Sequence, residues 1–211
     1  MQTDFNTHFT SIQQLFSDHG IKNITMDDIA HCLHISKKTI YKHYSCKDEL
    51  VSDVFLHDYY QFKAALQALE GEDTDAISKT IRLYHLVFWK ATSVKSYVFF
   101  DLEKYYPDLL NEITDLHRDS IRKTFTGTLT EGKVHQIFKD EVNPHSVARI
   151  FTYLFESYVT ELMLEPKEAD PLCWVDVFDY HFNSICNLIG LLKWENLKNQ
   201  NSVDKLMKSS M

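Results

Sequence analysis

The chain has 211 residues, 44% of them hydrophobic, with only five Gly and four Pro. That is enough apolar material for one or two buried cores, and the sparse punctuation of a mostly helical protein with short connections. The net charge of −8 argues against indiscriminate nucleic-acid binding, no apolar run reaches membrane-spanning length, and no secretory signal pattern is visible. Cys32, Cys46, Cys173 and Cys186 show neither CxxC pairing nor framework spacing and read as reduced thiols of a cytoplasmic protein.

The first helix is expected from about Thr3 to His19, because Phe5, Phe9, Ile12 and Phe16 fall on one stripe and Gly20 sits where a helix ends. Thr25 starts a second helix, with Asp28 three residues on completing a capping box, and Ile29, Ala30 and Leu33 on its buried side. Ser36 caps a third helix expected to end near Tyr44. Ser45 with Asp48 repeats the capping pattern for a long fourth helix, about Cys46 to Leu69, and Gly71 with an acidic run marks the break after it. Further helices are expected from about Thr74 to Val94, Ser96 to Tyr105, Pro107 to Glu131, Pro144 to Glu165, and Pro171 to about Lys198. Gly132 to Pro144 reads as a loop, or a loop with one turn of helix, and the residues from 199 to 211 as a polar tail.

Charge is distributed unevenly. Residues 1–50 hold five Lys against five Asp and one Glu, a balance of −1, which leaves −7 on the remainder. Between Ser36 and Lys47 stand Lys37, Lys38, Lys42 and Lys47 with no acid among them. At about 100° per residue, Ile40 and Tyr44 share one direction and Lys38 and Lys42 the opposite one, with Lys37, Thr39, Tyr41 and His43 on the flanks. Such a helix packs through Ile40 and Tyr44, offers Lys38 and Lys42 to base edges, and turns its flanks to the sugar-phosphate walls.

The pattern Phe16-x-x-x-Gly20, Ile24-Thr25, Ile29-Ala30, Ile35-Ser36-x-x-Thr39-Ile40-Tyr41-x-His43-Tyr44-x-x-Lys47-x-Glu49-Leu50 resembles the DNA-binding domain of TetR-family transcriptional regulators over residues 5–55. The resemblance implies an all-α fold: an N-terminal three-helix DNA-binding domain with a helix-turn-helix over residues 1–50, and a C-terminal helical effector-binding and dimerisation domain over 51–198. It places Thr25, Ser36, Lys37, Lys38, Thr39, Tyr41, Lys42, His43 and Lys47 at the interface with a double-stranded DNA operator. It also implies a homodimer, paired through the last two helices, and a small-molecule effector. The chain departs from the family pattern at His34, where the turn normally carries Gly, and in having no Arg before Arg82. A left-handed non-Gly residue costs about 1 kcal/mol, and His is among the better tolerated.

The larger part is rich in aromatics. Tyr84, Phe88, Trp89, Phe100, Phe125, Phe155 and Tyr158 are candidates to line an effector pocket, with core or interface packing as the alternative. Phe151, Phe155, Leu162, Phe178, Phe182, Ile185 and Ile189 form broad stripes on the last two expected helices and are candidates for a dimer interface. His31, Cys32, His34 and Cys46 do not converge on one side of a rigid unit, so no metal or other cofactor is expected. No HExxH, GxSxG or Gly-rich phosphate loop occurs, so no catalytic residues are assigned and an enzyme is not expected. The reading is a ligand-responsive, DNA-binding regulator, expected to repress. Its alternative is a helical small-molecule-binding protein that has lost specific DNA binding.

Overall fold

The computed structural model describes residues 5–164 and 174–199. The expected helix start at Pro171 and the tail beyond Asn199 lie outside the described residues, as do the side chains of Tyr158, Leu162 and Phe178. The described residues form one 3-10 turn, Phe5–His8, and ten α-helices: α1 Phe9–His19, α2 Met26–Cys32, α3 Lys37–Ile40, α4 Lys47–Glu70, α5 Ala76–Ser93, α6 Ser96–Tyr105, α7 Pro107–Val134, α8 Pro144–Leu164, α9 Trp174–Ile185 and α10 Leu188–Asn199. Strands are absent among them apart from a single bridge between Phe138 and Cys186. None of the described helices is long and apolar enough to cross a membrane.

The chain divides into two compact units, residues 1–63 with 93–117 and residues 64–92 with 118–211. The first takes in more than the residues 1–50 assigned to DNA binding, because α6 and the start of α7 fold with it. Its core runs from Phe5 in the 3-10 turn and the α1 stripe of Phe9, Ile12 and Phe16 through Ile29, Leu33, Ile40 and Tyr44 to Val98, Leu102 and Ile113. Asp101 on α6 accepts a hydrogen bond from the Lys22 backbone N–H at 2.8 Å, and the Tyr97 hydroxyl donates to the Ser17 carbonyl. These ties join residues about eighty positions apart, beyond the reach of any local pattern.

The second unit is held at one end by polar contacts. Lys79 is buried on α5 and donates to both Glu131 oxygens, at 3.0 and 2.9 Å, and to the Glu70 carbonyl at 3.3 Å. Thr124 on α7 donates to Glu70 Oε1 at 2.6 Å. A buried ammonium needs this many acceptors to offset its lost hydration.

The single last helix expected to reach Lys198 is instead two. The chain leaves helix at Cys186, where the Lys139 N–H donates to the Ile185 carbonyl at 2.9 Å and the Asn187 N–H to the Ile137 carbonyl at 3.1 Å. Asn187 then caps α10, its Oδ1 accepting from the Gly190 N–H at 3.1 Å. The break is set by the 137–139 segment rather than by the local sequence, which contains no Pro. Trp194 anchors α10 onto α9 by burying its ring and donating from Nε1 to Asp179 at 2.6 Å. The α7 helix also runs three residues past the expected end at Glu131, through Gly132 to Val134.

Candidate DNA interface and effector region

The second helix begins as its sequence dictates. The Thr25 N–H donates to Asp28 Oδ2 at 2.8 Å, the Thr25 hydroxyl donates to the same oxygen at 2.6 Å, and the Asp28 N–H returns to Thr25 Oγ1 at 3.2 Å. These hydrogen bonds hold the Asp28 carboxyl below its ordinary range, with His31 and His19 adding in the same direction. After α2 the chain turns through His34 at φ 54°, the left-handed conformation that the family's glycine would supply. The Ile35 N–H bonds back to the Ala30 carbonyl at 3.0 Å and closes the turn.

Ser36 caps α3, its Oγ accepting from the Thr39 N–H at 3.1 Å and sharing a hydrogen bond with Thr39 Oγ1 at 2.8 Å. Regular α-helix spans only Lys37–Ile40, and Tyr41, Lys42 and His43 continue as hydrogen-bonded turns to Tyr44. Ile40 and Tyr44 are buried, as the helical angles require, and Lys38, Tyr41, Lys42 and His43 are exposed. Lys37 is exposed but paired with Asp27 at 2.8 Å, which raises the affinity of its amine for a proton. Among the described residues, Lys38 and Lys42 make no ion pair.

Two residues sit differently from their sequence reading. At the start of α4 Ser45 pairs with Glu49, not Asp48: the Ser45 N–H and hydroxyl both donate to the Glu49 carboxylate at 2.7 Å. With Lys47 as the first helical residue, Ser45 stands just outside the N-cap, and the carboxylate of Glu49 four residues on is the one that reaches it. Lys47 is half-buried, its Nζ donating to the Ile21 carbonyl at 2.5 Å, and burial lowers its affinity for a proton. The chain thus uses Lys47 to close the turn between α1 and α2. Phe5 was legible as core, but its contact with the His43 ring, 5.2 Å between centroids, had no sequence signal.

In the second unit, Tyr84 on α5, Phe125 on α7, Phe151 on α8 and His181 on α9 form one ring cluster. Centroid distances are 5.8 Å for Tyr84–Phe125, 3.9 Å for Tyr84–Phe151, 4.8 Å for Phe125–Phe151 and 5.4 Å for Tyr84–His181. Phe155 stands at its edge, half-buried and 6.1 Å from Phe151. Of the other pocket candidates, Phe88 is half-buried, Trp89 is exposed, and Phe100 is exposed in the first unit.

The interface candidates divide as well. Phe151, Phe182 and Ile185 are buried within the single chain and serve its core, whereas Ile189 is exposed. The large exposed apolar side chains on these helices are others, Ile150 and Leu154 on α8 and Leu188 and Leu192 on α10. His31 and His34 have ring centroids 6.5 Å apart, and among the described residues no group of three or more His, Cys, Asp or Glu is arranged to hold a metal ion.

A capped pair of short helices joined by a tight turn, with a buried seam and an exposed basic face, defines a helix-turn-helix DNA-binding protein. Residues 8–54 match the model of the family described as bacterial regulatory proteins, tetR family. That segment belongs to the TetR family, and the chain as a whole has the fold of its regulators. A TetR transcription regulator from Haloarcula marismortui superposes with a TM-score of 0.69 at 15% identity, covering 88% of this chain and 100% of that one. The fatty acid degradation regulator FadR from Bacillus halodurans gives 0.62 at 17%, covering 85% and 97%. SmeT, the repressor of a Stenotrophomonas maltophilia multidrug efflux pump, gives 0.63 at 14%, covering 89% and 92%, and is similar also in its complex with triclosan. No curated protein matches the chain by sequence.

Proposed function

We propose that this chain is a repressor that binds a near-palindromic operator as a homodimer through Ser36–Tyr44 and is released by a small-molecule effector. The observation that carries the reading is the segment from Ser36 to Tyr44: Lys38 on α3 and Lys42 in the turn after it are exposed and without ion pairs among the described residues, while Ile40 and Tyr44 are buried. Lys38 and Lys42 then reach guanine edges, while Thr25, Ser36, Lys37, Thr39, Tyr41 and His43 meet phosphate. An ammonium has three donors, so Lys47 can keep one on the Ile21 carbonyl and give another to phosphate. Support for the dimer comes from the apolar rows that the single chain leaves exposed on α8 and α10. A C2 dimer sets two such helices about 34–36 Å apart, one turn of DNA.

An effector acts by preferring the conformation that does not fit the operator, and it shifts the population only by its differential affinity. SmeT, a repressor of similar fold seen with triclosan, illustrates the same division between DNA binding and ligand binding. The alternative, a helical ligand-binding protein without specific DNA binding, rests on the lack of Arg before Arg82 and on the His34 turn; that turn keeps the left-handed geometry a helix-turn-helix needs.

Gel-shift titration against genomic fragments at two salt concentrations tests the reading. Specific, salt-sensitive retention is expected. Lys38→Ala and Lys42→Ala should each weaken specific binding by about 1–3 kcal/mol with fold intact. Lys47→Ala should weaken binding to all sequences and reduce the salt slope by about one. Unchanged operator binding in both Lys38→Ala and Lys42→Ala would remove the groove assignment.

A further inference from the structure

Three buried hydroxyls of the second unit close on the backbone of their own helices. Thr80 donates to the Ala76 carbonyl at 2.7 Å, Thr128 to Thr124 at 3.1 Å and Thr152 to Ala148 at 2.7 Å. His181 does not follow this pattern. Its Nε2 is sealed from solvent and has no hydrogen-bond partner, although the residue as a whole is half-buried. Around the imidazole stand Tyr84 at 5.4 Å, Phe125 at 5.6 Å, Phe182 at 5.6 Å and Phe151 at 6.5 Å between centroids, contributed by four different helices. An orphaned polar atom set among rings is a group waiting for a partner that the chain itself does not provide.

We infer that His181 is the polar anchor of the effector site, and that the effector class is an uncharged aromatic hydroxyl compound bound among Tyr84, Phe125 and Phe151. The inference rests on the proposed function and adds the chemistry of the ligand.

Three observations select that class. The surroundings are aromatic edges and faces, which take a flat ring by offset or edge-to-face contact. One nitrogen is unmet, which calls for a single hydroxyl rather than several polar groups. Burial keeps the imidazole neutral, so it offers no counter-charge to a carboxylate.

The test is calorimetric titration of the full-length protein without DNA, using p-cresol, toluene, benzoate and choline as probes. The proposal expects p-cresol to bind about tenfold or more tighter than toluene, because only the cresol satisfies Nε2. In His181→Phe that preference should vanish while toluene binding persists. Ring-nitrogen NMR of the wild-type chain gives a readout that does not depend on the variant folding, since the His181 Nε2 resonance should shift with p-cresol and not with toluene. Equal binding of p-cresol and toluene, a preference for benzoate or choline, or no binding at all would each overturn the assignment. Because DNA is absent, such a failure leaves operator binding to be judged on the gel shift alone.

Discussion

At the scale of single residues, His34 and His181 show two ways in which a histidine carries a local cost. His34 holds φ at 54°, a conformation that costs a side-chain-bearing residue about 1 kcal/mol. His34→Gly should therefore raise stability by up to about 1 kcal/mol, reduced by the greater freedom glycine has when unfolded. His34→Val, β-branched, should lower it by about 1–2 kcal/mol. Urea unfolding of both variants checks this, and equal stability of the two would mean that the turn does not hold the strain assigned to it. His181 is held down to about 4 from an ordinary 6.5 by burial among rings. The neutral form is favoured in the folded chain, so nothing is lost above about 6.5. Stability falls as pH drops from about 6.5 to about 4, because over that window only the unfolded chain takes up the proton. The loss is at most about 3 kcal/mol and levels off below the folded value. Denaturant midpoints measured across pH 4–7 should show this decline in the wild type and a shallower one in His181→Phe.

At the scale of elements, local chemistry made some boundaries legible and long-range pairing hid others. Thr25 and Ser36 carry their own capping partners within three residues, so the starts of α2 and α3 follow from sequence. The inward turn of Ile40 and Tyr44 follows from helical period alone. Glu49 in place of Asp48 is a one-residue shift in where α4 begins, within the ordinary uncertainty of helix ends. The α9–α10 break is of another kind. Ile185-Cys186-Asn187-Leu188 reads as continuous helix, and only the approach of residues 137–139 interrupts it. Gly190 is what allows that approach, since a Cβ there would lie 2.3 Å from the Ile137 carbonyl oxygen and 3.0 Å from Cys186 Sγ. Gly190→Ala must push backbone against backbone, so it should cost about 1–3 kcal/mol or more. Gly127→Ala, where an added Cβ meets nothing within 4 Å on an α7 surface, should instead be neutral or stabilising by up to about 1 kcal/mol. Thermal unfolding of the two variants side by side separates these cases; matching midpoints would refute the close approach.

At the scale of the whole molecule, the second unit was less legible than the first because its aromatic residues have several uses. Phe182 and Ile185 read as an interface stripe, yet the chain buries them in its own core. Leu154 on α8 and Leu192 on α10 are instead left 67% and 58% exposed. Period locates an apolar face, but it does not say whether that face meets its own chain or a second copy. The distinction makes the proposed dimer testable. Leu154→Glu and Leu192→Glu place charge on exposed positions, so the single chain should keep its fold while self-association is lost. Phe182→Ala should instead cost about 3–5 kcal/mol of stability by opening a cavity. Two recognition helices on one rigid dimer bind an operator with an effective concentration that a monomer lacks, so the charged variants should lose about 100-fold to 10,000-fold in operator affinity. Sedimentation velocity and gel shift on the same preparations decide it. A Leu154→Glu, Leu192→Glu double variant that still sediments as a dimer and binds operator as tightly as the wild type would move the interface elsewhere. Monomers that have lost operator affinity but remain fully folded would place it on α8 and α10.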